Sequence, residues 1–157
     1  MTVDSAFKLP LVLGLLLWCM SCGAQQTLGE LLDAGAKRLS VQQFRDEVVQ
    51  RVIAGPSATG GTMEVLYDTD GRVTGIGTFR MGSHGAGTAR TAATMEGGWK
   101  ADEEDRICTA LRVVGPARAG SDLPPRCQFW FKLGEDFFFA DSDSDRYAKV
   151  LRRKVLR

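Results

Sequence analysis

The stretch "TMEVLYDTDGRVTGIGTF", Thr62–Phe79, decides the fold class. Met63, Val65 and Tyr67 alternate with Thr62, Glu64 and Leu66, the period of a strand whose two faces meet different surroundings. "DTDG" follows, a run of residues that turn the chain and close hairpins. "RVTGIGTF" then resumes strand character with Val73 and Phe79 on the returning arm. Two strands joined by a short turn form a hairpin, and a hairpin needs further strands or a helix to bury its apolar face.

Downstream of the hairpin, further strand candidates continue the pattern. "MGSHGAGTARTA", Met81–Ala92, is rich in glycine and small residues and reads as a loop. "GGWKAD", "ICTALRVV" and "CQFWFKL" read as strands, with the long polar connection "GPARAGSDLPPR" before the last, and "DFFFAD" adds another. In "CQFWFKL", Cys127, Phe129, Phe131 and Leu133 share one face, and Gln128, Trp130 and Lys132 share the other. The cysteine is thus expected to point with core aromatics. In "ICTALRVV", Cys108 shares a face with Ala110 and Arg112, opposite Ile107, Leu111 and Val113, which fits either a strand covered on both faces or a bulge.

Upstream of the hairpin, residues 25–54 carry a helical pattern in two parts. "LGELLDAGAKRL" sets Leu28, Leu31 and Leu32 on one face, weakened after Gly35. The second part is better punctuated: Ser40 suits an N-cap, Gln43 its capping-box partner, and Leu39 and Phe44 a hydrophobic staple. Phe44, Val48 and Val52 form an apolar stripe, and Gly55-Pro56 is expected to end this helix.

The first 24 residues read as a signal peptide. Lys8 precedes the apolar run Leu9–Met20, which is shorter than the roughly 20 residues that span a bilayer as a helix. Cys22-Gly23-Ala24 offers small side chains for cleavage after Ala24. The alternative makes Cys22 a lipid-bearing N-terminus, preceded suitably by Ser21 but less so by Met20 and Cys19. The expected organisation is therefore a signal peptide at 1–24, an N-terminal helical segment at 25–38 and one β domain at 39–157. Its location is periplasmic or secreted, with a membrane-anchored lipoprotein as the alternative.

Either processing route leaves Cys108 and Cys127 as the only unmodified cysteines of the domain, and in an oxidising compartment the pair is read as a disulfide. Their spacing is not Cys-x-x-Cys, and His84 is the single histidine, so a tetrahedral zinc site lacks ligands. No metal or other cofactor is expected.

Several chemistries fail on spacing or context. Lys and Arg number 20 and Asp and Glu 19, which gives no field to steer the protein onto nucleic acid. Ser83 and His84 sit side by side in a glycine-rich loop, whereas triad partners converge from separate segments. Glu103 and Glu104 lie in a charged turn. "DSDSD", Asp141–Asp145, opens like a calcium loop but places Arg146 and Arg152 where that loop needs glycine and glutamate. "GIG", Gly75–Gly77, lacks the third glycine and the strand-to-helix context of a dinucleotide site.

The C-terminal "RYAKVLRRKVLR" holds six basic residues and no acidic one. It is read as a strand with a solvated basic face. The alternative is a basic amphipathic helix on an anionic membrane, which together with Cys22 lipidation is the only route to a membrane.

Taken in order, "LSVQQF", "YDTDGRVTG", "GGW" and the cysteine pair followed by aromatic strands resemble an exported bacterial family known only as domain of unknown function 995. Its members are small and lipocalin-like. The resemblance covers Leu39 onward, with "GPARAGSDLPPR" as an expansion, and implies a small antiparallel lipocalin-like sheet or partial barrel packed with an N-terminal helix. It brings no activity and no catalytic residue.

The resulting expectation is a non-enzymatic envelope binding module for a small apolar ligand or an envelope protein. Trp130 and Trp99 are its candidate binding residues, each weighed against a packing role: Trp99 at the start of its strand beside Gly97 and Gly98, and Trp130 under the second helix. The alternatives are an inhibitor that presents the glycine-rich loop around His84 to a hydrolase, and a hydrolase itself.

Overall fold

A computed structural model of the chain describes residues 26–57, 61–81, 89–114 and 121–156. Residues 1–24, read above as a signal peptide and including Cys22, and the loop residue His84 lie outside the described residues.

Two short helices precede the strands: α1, Leu28–Asp33, and α2, Val41–Glu47, with the two-residue strand β1, Lys37–Arg38, between them. Both helices carry a complete capping box. Ser40 Oγ accepts from the Gln43 amide at 3.2 Å and the Gln43 side chain accepts from the Ser40 amide at 2.9 Å, as the sequence predicts. Thr27 and Glu30 repeat the arrangement for α1.

The second helix stops earlier than its stripe suggests. Gln50 takes a left-handed conformation, φ 66°, and the chain enters β2, Val52–Pro56. Val52 and Ile53 pair there with Leu66 and Val65. β-Branched residues favour such pairing, and cross-strand side-chain contacts take the place of a further helical turn.

The remaining strands are β3, Thr62–Tyr67; β4, Arg72–Met81; β5, Ala89–Ala101; β6, Ile107–Val114; β7, Ser121–Asp122; β8, Arg126–Leu133; β9, Asp136–Ala140; and β10, Leu151–Val155. The predicted hairpin is β3–β4, turned by Asp68–Gly71 with Gly71 at φ 86°. Part of the expected glycine-rich loop is strand: Ala89–Ala92 pair with Thr78–Met81 and extend β5. "RYAKVLRRKVLR" yields strand β10 between β9 and β2.

Eight of these strands, β2-β3-β4-β5-β6-β8-β9-β10, form a closed antiparallel barrel in which β10 returns to β2. This is the architecture expected of a lipocalin-like fold, closed all the way round. The seam between β6 and β8 is brief, Ile107–Thr109 against Arg126–Gln128. β7 continues the free edge of β6 and β1 continues that of β8.

Closure sorts the side chains into two cores. The inner one joins Ile53, Val65, Tyr67, Val73, Ile107, Trp130, Phe137 and Phe139 to Leu39, Phe44 and Val48. The outer one lies between α1 and the barrel wall, where Leu28 and Leu31 cover Phe129, Phe131, Phe138 and Val150. α1 is held by amide bonds from Leu28 to the Ala148 carbonyl, 2.9 Å, and from Gly29 to that of Arg146, 2.8 Å.

The alternation in "CQFWFKL" is therefore correct, but the barrel interior lies on Trp130's side. Phe129 and Phe131, with Cys127, occupy the outer face, which α1 makes into a second core. In β6 the apolar Ile107, Leu111 and Val113 turn inward and Cys108, Ala110 and Arg112 outward, with no bulge needed.

Candidate functional site

Strand alternation carried round the closed sheet shows what faces the interior, since residues opposite each other in an antiparallel pair share a face. One end is packed with rings. Phe44 of α2 inserts among Tyr67, Trp99 and Trp130, with ring centroids at 5.3, 5.3 and 5.0 Å in edge-to-face arrangements. Trp130 also meets Phe139 at 5.5 Å. Trp130 is 3 % exposed, so the packing role under α2 describes its position.

Trp99 is half-buried and stands near the end of β5, not at its start. Its indole donates to the Asp68 carbonyl at 2.8 Å and its amide to that of Gly71 at 2.7 Å. Gly97, two residues before it, permits a close approach: a Cβ there would fall 2.0 Å from the Ala110 carbonyl oxygen.

Toward the other end the interior changes character. In register from Val73, the inner positions of β4 and β5 are Gly75, Gly77, Ala93 and Met95, with Met63 on β3 and Gly55 on β2. Apart from the two methionines these contribute almost no side-chain volume. Met63 is half-buried and Met95 is 1 % exposed.

Between the two zones stands Arg153. Sequence reasoning assigned the basic C-terminal residues to a solvated face, and for Arg152, which pairs with Asp136, this is right. Arg153 departs from it at 3 % exposure. It shares the inner face of β10 with Leu151 and Val155, a period-two signal already present in "LRRKV".

The guanidinium of Arg153 lies over the Phe139 ring, 4.5 Å from its centroid. Its Nη1 donates to the carbonyls of Pro56, 2.7 Å, and Arg152, 3.0 Å, and Nη2 approaches Met63 Sδ at 3.3 Å. Burial pushes its pKa down to about 10, and Tyr67 is the ionisable group whose field it feels. Burial likewise raises the Tyr67 phenol to about 12, against a smaller opposing effect of Arg153. At neutral pH Arg153 is a cation and Tyr67 a neutral hydroxyl.

No protein-family model, curated protein or solved structure matches this chain. The barrel and its side chains must carry the functional argument.

Two other places were candidates for chemistry. Cys108 and Cys127 form the expected disulfide on the outer face. Asp102 brings a carboxylate within 4.8 Å of both sulfurs, the spacing of a metal cluster. The sulfurs are bonded to each other, however, and Asp102 is bound by Arg106 at 2.7 Å. Partial desolvation works to raise the Asp102 carboxyl, but hydrogen bonds from Arg106 and Glu104 outweigh it and hold the carboxyl below its usual range.

The second place is an open groove of 680 Å³ on the wall formed by β4 to β7, with Arg72, Glu96, Arg112 and Asp122 on its rim. Arg112 pairs there with Glu96 at 2.8 Å and Arg72 with Asp70 at 2.7 Å, so both arginines are already engaged. The "DSDSD" carboxylates do not converge either: Asp141 meets Gln128, Asp143 meets Arg38 and Asp145 caps the Tyr147 amide. Among the described residues no helix is long and apolar enough to cross a membrane.

Proposed function

We propose that the protein is an exported, non-enzymatic binding module of the bacterial cell envelope whose barrel takes a small apolar ligand, in keeping with its resemblance to the lipocalin-like family of unknown function. The observation that supports this reading is the unequal filling of the interior. Rings of Phe44, Trp99, Trp130 and Phe139 occupy one end, while Gly55, Gly75, Gly77 and Ala93 contribute little side-chain volume to the wall beyond them. Binding sites are typically concave and mostly apolar with a few polar groups, and this chamber has that make-up.

Trp130 and Trp99 form the floor of the chamber in this reading. They shape it from beneath, together with Phe44, and do not stand free as surface anchors.

Native mass spectrometry of the full chain recovered from cells, followed by titration with dodecanol, tests the proposal. A co-purified apolar molecule, or saturable one-to-one binding of dodecanol, supports it. A ligand-free mass together with no saturable binding removes it.

A further inference from the structure

A cation buried in the wall of an apolar chamber needs a reason. Removing a guanidinium from water is unfavourable unless its charge is matched and its donors are satisfied. Among the described residues Arg38, Arg106, Arg146 and Arg152 each reach a carboxylate, though all are far more exposed. Arg153 is the most enclosed of them and meets no carboxylate among the described residues.

Its hydrogen bonds are also incomplete. A guanidinium has five N–H donors. Two carbonyls and one weak thioether acceptor engage Nη1 and part of Nη2, and Nε donates to none of the described residues. The Tyr67 hydroxyl, on the same inner face as Met63, likewise bonds to none of them. Among the described residues no polar side-chain atom sealed from solvent lacks a partner, so these donors border accessible space.

The surroundings favour this orientation of the charge. Gly55, opposite Arg153 on β2, has no side chain to compete for the space: a Cβ there would lie 2.6 Å from Nη1. Phe139 supports the guanidinium from one side, and the two backbone carbonyls fix one of its edges, leaving the remaining N–H groups directed away from them.

We propose that Arg153 and Tyr67 form an anion subsite in this chamber, and that the ligand is a monocarboxylate with an aliphatic tail, of the fatty-acid type. The inference rests on the preceding reading that the chamber binds a small apolar molecule, and it adds the chemistry of the head group. A guanidinium presents paired N–H donors that match the two oxygens of a carboxylate, and such charge-assisted bonds are strong where water is excluded. One cation balances one negative charge. A phosphate dianion would leave excess charge in an apolar enclosure, so a monoanion is favoured. The tail would run along Met63, Gly75, Gly77, Ala93 and Met95, where the inner wall is apolar and its side chains are mostly small.

The test compares dodecanoate with dodecanol on the full chain at neutral pH, by calorimetry or native mass spectrometry, for wild type, Arg153→Met and Tyr67→Phe. The expected results are a preference of wild type for dodecanoate of about tenfold or more, loss of that preference in Arg153→Met with dodecanol binding kept, and a several-fold weaker grip on dodecanoate in Tyr67→Phe. Equal affinity of wild type for acid and alcohol overturns the anion subsite but leaves the apolar chamber standing. A preference for the acid that survives Arg153→Met overturns it too, since the carboxylate is then held elsewhere. Binding of neither compound removes both readings. The wild-type comparison decides even where a variant fails to fold.

Discussion

Cys108 and Cys127 are direct cross-strand partners, with Cα atoms 3.8 Å apart, on the two strands that meet at the short seam of the barrel. Only three residue pairs join β6 to β8 there, so the covalent link reinforces one of the two shortest ladders of the barrel, the other being β10 with β2. The sulfurs close a loop with a sequence separation of 19. By loop-closure entropy, opening it lowers stability by about 3 kcal/mol. Urea unfolding with and without reductant, or of the Cys108→Ser/Cys127→Ser double variant, measures this. An unchanged midpoint would show that the seam holds without its staple.

Phe44 links α2 to the barrel through three aromatic neighbours and is 1 % exposed. Phe44→Ala removes those contacts and leaves a cavity, for a loss of about 3 to 5 kcal/mol. Ser40→Ala takes away only the cap of the same helix, for about 1 kcal/mol. Thermal unfolding of both variants should therefore rank them far apart. Equal losses would mean that the helix end, and not the inserted ring, holds α2 in place.

The two glycines before Trp99 should respond differently to alanine. At Gly97 the added methyl meets a backbone oxygen at 2.0 Å, and backbone cannot move aside cheaply. At Gly98 the nearest atom is the Gly71 carbonyl oxygen at 3.4 Å, an ordinary contact. Gly97→Ala is expected to destabilise by about 1 to 3 kcal/mol, and Gly98→Ala to lie within about 1 kcal/mol of wild type in either direction. Denaturant midpoints for the pair check the prediction, which fails if the order is reversed.

Tyr67 gives stability a defined pH dependence. Its folded pKa of about 12 lies above the ordinary phenol value of 10.0, so between these values the folded state keeps a proton that the unfolded chain has lost. Its contribution is complete below pH 10 and declines as pH rises toward 12. Arg153, pushed down to about 10 by burial, works in the opposite sense above pH 10, because there the unfolded chain holds the extra proton. The two windows overlap, and substitution separates them. Stability of Tyr67→Phe relative to wild type should rise through the alkaline window, and the phenolate absorbance removed by this substitution should emerge only near pH 12. Emergence near pH 10 would place the hydroxyl in water.

Much of the framework was legible in the linear pattern because local chemistry controls it. The Ser40–Gln43 box, the Asp68–Gly71 turn, the alternating arms of Thr62–Phe79 and the strand in the basic C-terminus each depend on residues a few positions apart. The candidate site was less legible. Trp130 and Trp99 stood out as large rings, but Arg153 was grouped with its solvated neighbours, although its spacing from Leu151 and Val155 already put it on their face.

The amino-acid order by itself thus determined the β class, the caps, the turn and the cysteine pairing. Only the tertiary structure decided that the sheet closes, that Trp130 lies inside while Phe129 and Phe131 lie outside, that Val52–Pro56 is a strand, and that Arg153 is enclosed. The physical reason is the same in each case. Period-two alternation separates two faces without saying which is the interior when a helix covers the outer one. The choice is made by pairings between residues far apart in the chain, β10 with β2 and β6 with β8, whose combined burial outweighs local preference.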